Sequence, residues 1–355
     1  AAFILGTALI VFLVAPGALS PQDGVPASGT PTSYRRDGNL LTVFDAEGRR
    51  LWVHRSPFDL SEKAYAGGRQ KHPVLFEDLD GDGRVEVLFT AFGVPFEDHI
   101  LYCFEADGTQ RFAWKYEGVK HFGETTYAAP WALSQVFVDR SRPGGAALWV
   151  VIHHAPWFPS ALMKLDAHGT ITAEFWNDGA IHPVTPSRIG GRDVLLVGGG
   201  NNEFRSGFLA VVDPDRPSGS APALRPDYTC LDCPAGRPVR YIVFPRSAIT
   251  RETDVVGSVM RIAMDGAGQS TVMVENFGSI LPGDADVAGA DSYYTFDEKL
   301  NPMSAETGEG YRRLHRRLQL DGAFTRPYGE EDERELWPLR EWNGSDFVPL
   351  PPPRR

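Results

Sequence analysis

One pattern returns along this chain: an apolar run of strand length, an acidic residue, a glycine turn, and a second run that often carries Trp or Phe. It reads LLTVFDAEGRRLWVHR at 40–55, LYCFEADGTQRFAWKY at 101–116 and LMKLDAHGTITAEFW at 162–176. The acidic positions Asp45, Glu105 and Asp166 lie about sixty residues apart, and weaker copies begin at Phe208, Val259 and Tyr293. Each instance is a hairpin, with D-A-E-G, A-D-G-T or D-A-H-G supplying residues that tolerate tight-turn backbone geometry. A second strand pair often precedes the hairpin: PVLFED with VEVLFTAF before the second instance, LSQVFVD with AALWVVIHH before the third.

Four short strands per repeat is the arrangement of a β-propeller blade. A sandwich also needs many short strands, but it does not need one repeated pattern. The expected fold is therefore all-β, a propeller of about six or alternatively seven four-stranded blades. Units fall at 73–117, 131–178, 182–220, 238–277 and 280–325, and a closing blade is expected to join hairpin 40–54 to the strands at 336–348. Ring closure removes exposed strand edges, which is the physical reason to unite the two ends. One amphipathic helix is expected near 305–318, where Tyr311, Leu314 and Leu318 fall at helical spacing with arginines opposite.

Length and composition fit this reading. The 355 residues with 42% hydrophobic content supply a large core, and 37 Gly with 28 Pro spread turn signals along the whole chain. A formal net charge of −11 argues against nucleic acid as the partner and is compatible with cation binding.

The first twenty residues carry no charge. Residues 1–19 read either as a transmembrane anchor or as the h-region of a signal segment ending in small residues near Ala15–Ala18. Both readings export the remainder of the chain, to the periplasm or cell surface. No Lys or Arg occurs before Arg35, which suits an outside C-terminal flank. Residues 20–38 are Ser-, Pro- and Gly-rich and read as a flexible linker, 39–350 as the propeller domain, and 351–355 as a Pro/Arg tail.

The most specific local signal is DLDGDGRVE at 78–86, four carboxylates in nine positions between two strand-like runs. Asp78, Asp80, Asp82 and Glu86 occupy positions one, three, five and nine, and the Arg84 carbonyl is available at position seven. Hard oxygen ligands in a tight loop suit Ca2+, and without a cation these carboxylates repel one another. Strands flank the loop and no twelfth-position Glu follows, so it is not an EF-hand. This loop, followed by Glu-Val-Leu and then by a VFDAEG-type hairpin, resembles the FG-GAP (integrin-alpha-like, VCBS) propeller repeat. The resemblance is good at 73–117 and extends weakly over 39–350. It implies a calcium-stabilised binding or interaction module. VFVDRSRPGGAALWVV at 136–151 resembles a decayed copy in which Ser141 and Pro143 replace two aspartates, and it is expected not to bind metal.

Other constellations are weaker. Cys230 and Cys233 form a C-x2-C pair in a Pro/Gly-rich stretch, read as a local disulfide pinning a loop. His153, His154 and His182 read as structural or rim histidines, because alternation sends His153 and His154 to opposite faces. GGGNNEFRSG at 198–207 reads as a hairpin loop, with Asn201, Asn202 and Arg205 as candidate ligand contacts at the ring's mouth, and EEDERE at 330–335 reads as a solvated acidic face.

Three function classes are compatible with these features. The first is an exported, membrane-anchored, calcium-stabilised propeller that binds a protein or glycan. The second is a propeller enzyme, a quinoprotein-like dehydrogenase or a glycan hydrolase or lyase. The Trp-bearing hairpins resemble quinoprotein blades, but the expected adjacent Cys-Cys pair is spread over C-x2-C, and no GxSxG elbow, P-loop or HExxH occurs. The third is the sensor domain of a larger membrane protein.

Overall fold

The computed structural model describes residues 29–60, 73–92, 99–140, 146–154, 158–276, 289–350 and 352–353. The expected apolar helix at 1–19 and the decayed-loop positions Ser141 and Pro143 lie outside the described residues. No helix among the described residues is long and apolar enough to cross a membrane.

The described chain is almost entirely antiparallel β, in successive meanders. The first sheet contains β1 (Ser33–Asp37), β2 (Leu40–Phe44) and β3 (Arg50–Arg55). The second contains β4 (Val74–Glu77), β5 (Glu86–Ala91), β6 (Ile100–Phe104) and β7 (Gln110–Trp114). A small hairpin, β8 (Lys120–Phe122) and β9 (Thr125–Tyr127), leads to the third sheet. That sheet contains β10 (Trp131–Asp139), β11 (Ala147–His154), β12 (Ser160–Leu165) and β13 (Ile171–Asn177). The fourth begins with β14 (Ile181–Ile189), β15 (Arg192–Asn201) and β16 (Ser206–Val212), after which β17 (Gly219–Ser220) returns to pair in parallel with β13. β18 (Arg240–Val243) then extends the fourth sheet beside β16. The fifth sheet holds β19 (Gly257–Met264), β20 (Ser270–Asn276), β21 (Ser292–Phe296) and β22 (Pro302–Thr307). Finally, β23 (Leu339–Trp342) pairs with β18, and β24 (Phe347–Leu350) with β23.

The sheets stack face against face, and strand alternation shows how. On β11, Val150 and Ile152 join a core shared with Leu41, Trp52, Val87 and Phe89 of the first two sheets, while Trp149 and Val151 join one shared with β15 and β16. On β15, Leu195 and Val197 face the third sheet while Val194 and Leu196 face Val259 and Val272 of the fifth. Central strands are thus apolar on both faces, which explains their continuous hydrophobic runs. The repeated glycine turn has a packing role as well. Trp52 lies against Gly108, where an added Cβ would fall 2.6 Å from the indole Cγ, and its Nε1 donates to the Ala106 carbonyl at 3.0 Å. Phe112 lies against Gly169 in the same way one repeat later. The aromatic residue of one hairpin therefore docks on the glycine of the next.

Several expectations are corrected. The described residues form five sheets of three to six strands. Among the described residues the closing blade does not form, because the C-terminal strands pair with β18 and not with hairpin 40–54. β18 offers an open edge, and Arg240 Nη2 holds Glu341 Oε2 across it at 2.9 Å. Taking β18 into the fourth sheet merges the expected units 238–277 and 280–325 into the single fifth sheet. The linker boundary at 38 is too late: β1 lies within 20–38, pairs with β2, and sets Tyr34 against Phe76.

Three helices of five residues or more are described. α1 (Ala248–Glu252) follows β18, α2 (Glu309–Leu320) follows β22, and α3 (Glu330–Arg334) precedes β23. Tyr311, Leu314 and Leu318 of α2 are buried as the spacing required, but the helix starts later than expected because 302–307 is drawn into β22. The acidic stretch 330–335 is not simply a solvated face. Asp332 is buried, accepts from Arg326 Nη1 at 2.7 Å, and meets the Tyr311 hydroxyl at 3.2 Å. Glu333 accepts from the Thr307 hydroxyl at 2.8 Å.

Candidate metal-binding loop

The acidic nonapeptide connects β4 to β5, in a pair whose register sets Glu77 opposite Glu86. Asp78 turns its carboxylate back over the loop, accepting from the Gly81 amide at 2.7 Å and the Gly83 amide at 3.0 Å. Glu86 is fully buried at 0% exposure, and its Oε2 accepts from the Leu79 amide at 2.8 Å. One oxygen each from Asp78, Asp80 and Glu86 comes together, all within 4.8 Å of one another. Asp82, also expected as a ligand, is not in this group. Asp82 accepts from the Arg84 amide and from Arg84 Nε, both at 2.8 Å, and the amide bond chiefly holds its pKa below the ordinary carboxylate range. Arg84 thus spends its side chain on Asp82.

The loop's charge has a partner that the sequence pattern does not disclose. Arg111, on β7, is 9% exposed and reaches under the loop. Its Nε and Nη2 donate to the two oxygens of Glu105 at 2.6 and 3.0 Å. Its Nη1 lies 3.1 Å from Asp80 Oδ2, and its Nη2 lies 3.1 Å from Glu86 Oε1. The contacts differ in kind: the Glu105 bonds are directional and bidentate, whereas Arg111 Nη1 and Glu86 Oε1, both buried, form no hydrogen bond. Burial pushes the Glu86 pKa up, opposed by the Leu79 amide and the Arg111 charge.

A signal for Arg111 is present in the repeat. In four other hairpins the turn acid is Asp, whose Oδ1 accepts two backbone amides. Asp45 takes Glu47 and Arg49, Asp166 takes His168 and Thr170, Asp265 takes Ala267 and Gln269, and Asp297 takes Lys299 and Asn301. In the hairpin beside the acidic loop that residue is Glu105, which spends its carboxylate on Arg111 instead. The position of Arg111, six after the turn acid, is Leu51, Thr172, Thr271 and Met303 in the others. Both departures from the repeat meet at the loop.

Calcium accepts six to eight oxygens. The residues fit a cation through the converging oxygens of Asp78, Asp80 and Glu86, with the Arg111 guanidinium against two of these three carboxylates.

The remaining candidates have structural roles. Cys230 and Cys233 form a disulfide in a loop docked on β8, with Phe122 bridging Cys230, while His121 Nδ1 lies 2.9 Å from Asp232 Oδ2. His154 packs edge-on against Tyr127 and Trp131. Residues 198–201 are the end of β15 and not a loop. Gly199 has φ 155°, and a Cβ there would lie 1.9 Å from the Ala180 carbonyl oxygen, so close backbone approach explains this glycine. Asn201 is buried and donates to the Tyr241 hydroxyl at 3.1 Å, and Asn202 donates to the Asp178 carbonyl at 2.7 Å. Arg205 donates to the Asp254 carbonyl.

No family model matches this chain, and no curated protein matches it. Solved structures show distant likeness. The Dos1 propeller is 10% identical over 78% of this chain and 67% of its own, with TM-score 0.37. A protein of unknown function from Bacteroides caccae is 12% identical over 78% of this chain and 93% of its own, with TM-score 0.27. A DUF4221 family member from Bacteroides vulgatus is 10% identical over 80% and 82%, with TM-score 0.31. Likeness at this level carries no argument about function.

Proposed function

We propose that this chain is a calcium-stabilised β-propeller acting outside the cytoplasm as a binding module for a protein or glycan. Its apolar residues 1–19 serve as export signal or membrane anchor. The observation that carries the calcium reading is the convergence of Asp78, Asp80 and Glu86 in the tight loop between β4 and β5. The propeller reading is supported by successive antiparallel meanders stacked face to face, with the first two hairpins each docking an aromatic residue on the glycine of the next turn. Calcium holds β4 and β5 in register by bridging the loop's first and last acidic residues.

Extracellular calcium modules often bind with Kd near ~10⁻⁴ M. At about tenfold higher free calcium, linkage gives roughly 1.4 kcal/mol, so the ion tunes one sheet and does not decide the fold. Melting in calcium and in chelator tests this. Wild type is expected to gain roughly 1–3 °C in calcium, and Asp80→Asn nothing. Equal shifts in both would place the ion elsewhere.

A further inference from the structure

We propose that the Arg111 guanidinium is the loop's resident cation and that calcium enters only in competition with it, so that Arg111 sets the calcium concentration at which the loop responds. The inference rests on the reading of the loop as a calcium site and adds to it a named determinant of affinity.

Four observations converge on Arg111. It is nine-tenths buried and lies 3.1 Å from both Asp80 and Glu86, two of the three carboxylates that converge. The contacts to these two are the poorly directed ones: Glu86 Oε1, 3.1 Å from Nη2, and Nη1, 3.1 Å from Asp80 Oδ2, are both buried and form no hydrogen bond, so an acceptor in the cluster still lacks a directed donor or a metal. The Glu105 bonds, by contrast, are directional and bidentate, so the guanidinium stays anchored when Asp80 and Glu86 let go. Finally, Arg and Glu replace the usual residues of the repeat in this hairpin, the one beside the complete acidic loop.

A divalent ion held by Asp78, Asp80 and Glu86 sits within a few ångströms of a fixed positive charge. Such repulsion, only partly screened in a site this buried, is enough to weaken affinity by about tenfold or more. Coupling is reciprocal: calcium weakens the hold of Arg111 on Asp80 and Glu86 by the factor by which that hold weakens calcium. The loop is therefore held by arginine at low calcium and by the ion at high calcium.

Calorimetric titration with calcium chloride tests this on wild type, Arg111→Met, Arg111→Lys and the double variant Arg111→Met/Asp80→Asn. Arg111→Met keeps the aliphatic stem and removes the charge. Its calcium Kd is expected to fall at least tenfold below wild type. Arg111→Lys keeps the charge and is expected to stay near wild type, and the double variant is expected to lose the tight site. If Arg111→Met unfolds in chelator, refolding at calcium concentrations below the wild-type Kd supports the proposal. Remaining unfolded at saturating calcium overturns it, because Arg111 is then required in both states. Wild type binding calcium with Arg111→Met no tighter overturns the competition alone and leaves the calcium site standing. No binding by any of the four overturns the calcium site and the competition together.

Discussion

The second and third sheets share a four-strand antiparallel meander, to which β17 adds a fifth strand in the third, yet they treat buried negative charge in opposite ways. In the second, Glu86 is fully buried and lies 3.1 Å from Arg111, which also neutralises Asp80 and Glu105. In the third, Asp178 directly follows β13, is 7% exposed, and has no guanidinium against it among the described residues. Its Oδ2 accepts from the Glu203 amide at 3.0 Å, while its Oδ1 is buried without a hydrogen-bond partner. Burial pushes the Asp178 pKa up to about 7, with the nearby Glu203 charge adding to the effect. The turn acids follow the same division: Glu105 is spent on Arg111, whereas Asp166 caps its own turn. One repeat compensates charge with an arginine, and the other with a proton. A buried carboxylate persists only when paired or neutral.

The largest expected effect comes from removing the pairing. In chelator at pH 7, Arg111→Met should lose about 3–5 kcal/mol in a urea unfolding curve, since one partner of a buried ion cluster leaves the others uncompensated. The partial exposure of Asp80 and Glu105, 35% and 25%, favours the lower end. A loss under about 1 kcal/mol would mean that the second sheet bears its charge without help, and the contrast between the sheets would collapse.

Next comes the proton in the third sheet. A folded-state pKa raised to about 7 means that the folded form holds a proton which the unfolded chain releases near 3.8. The stability tied to that proton is fully present below the unfolded value and is lost as pH rises through about 7. Between pH 5 and pH 8, wild type should lose about 2–3 kcal/mol relative to Asp178→Asn, which carries no ionisable group there. Parallel stability curves for the two proteins would show that Asp178 stays ionised when folded.

The smallest effect separates the two turns. Asp166→Ala removes two backbone acceptor bonds from a largely exposed turn and should cost about 1 kcal/mol, unaffected by calcium. Glu105→Ala instead frees Arg111 from its directional anchor, so its cost should change when calcium is added. Equal costs with equal calcium insensitivity would erase the distinction between the turn acids.

Much of the architecture was legible in the chain because strands and turns are local. The short apolar runs of β4–β7 and β10–β13, the glycine turns and the buried face Tyr311–Leu314–Leu318 follow from spacing, and the C-x2-C pair marked the disulfide of Cys230 and Cys233. The acidic loop was legible for the same reason, its residues lying within nine positions. Chain pairing at long range was not. Only the folded structure sends β23 to β18 rather than to hairpin 40–54, because an open edge accepts any strand of suitable length and Arg240 with Glu341 select this one. Asp332 reads as one solvated acid among several until Arg326 and Tyr311 are brought to it. The order of residues was enough to locate the acidic loop and to show that its charge needs a partner. Folding selected Arg111, twenty-five positions beyond Glu86, as the cation brought there, because strand pairing sets neighbours in space without regard to their separation along the chain.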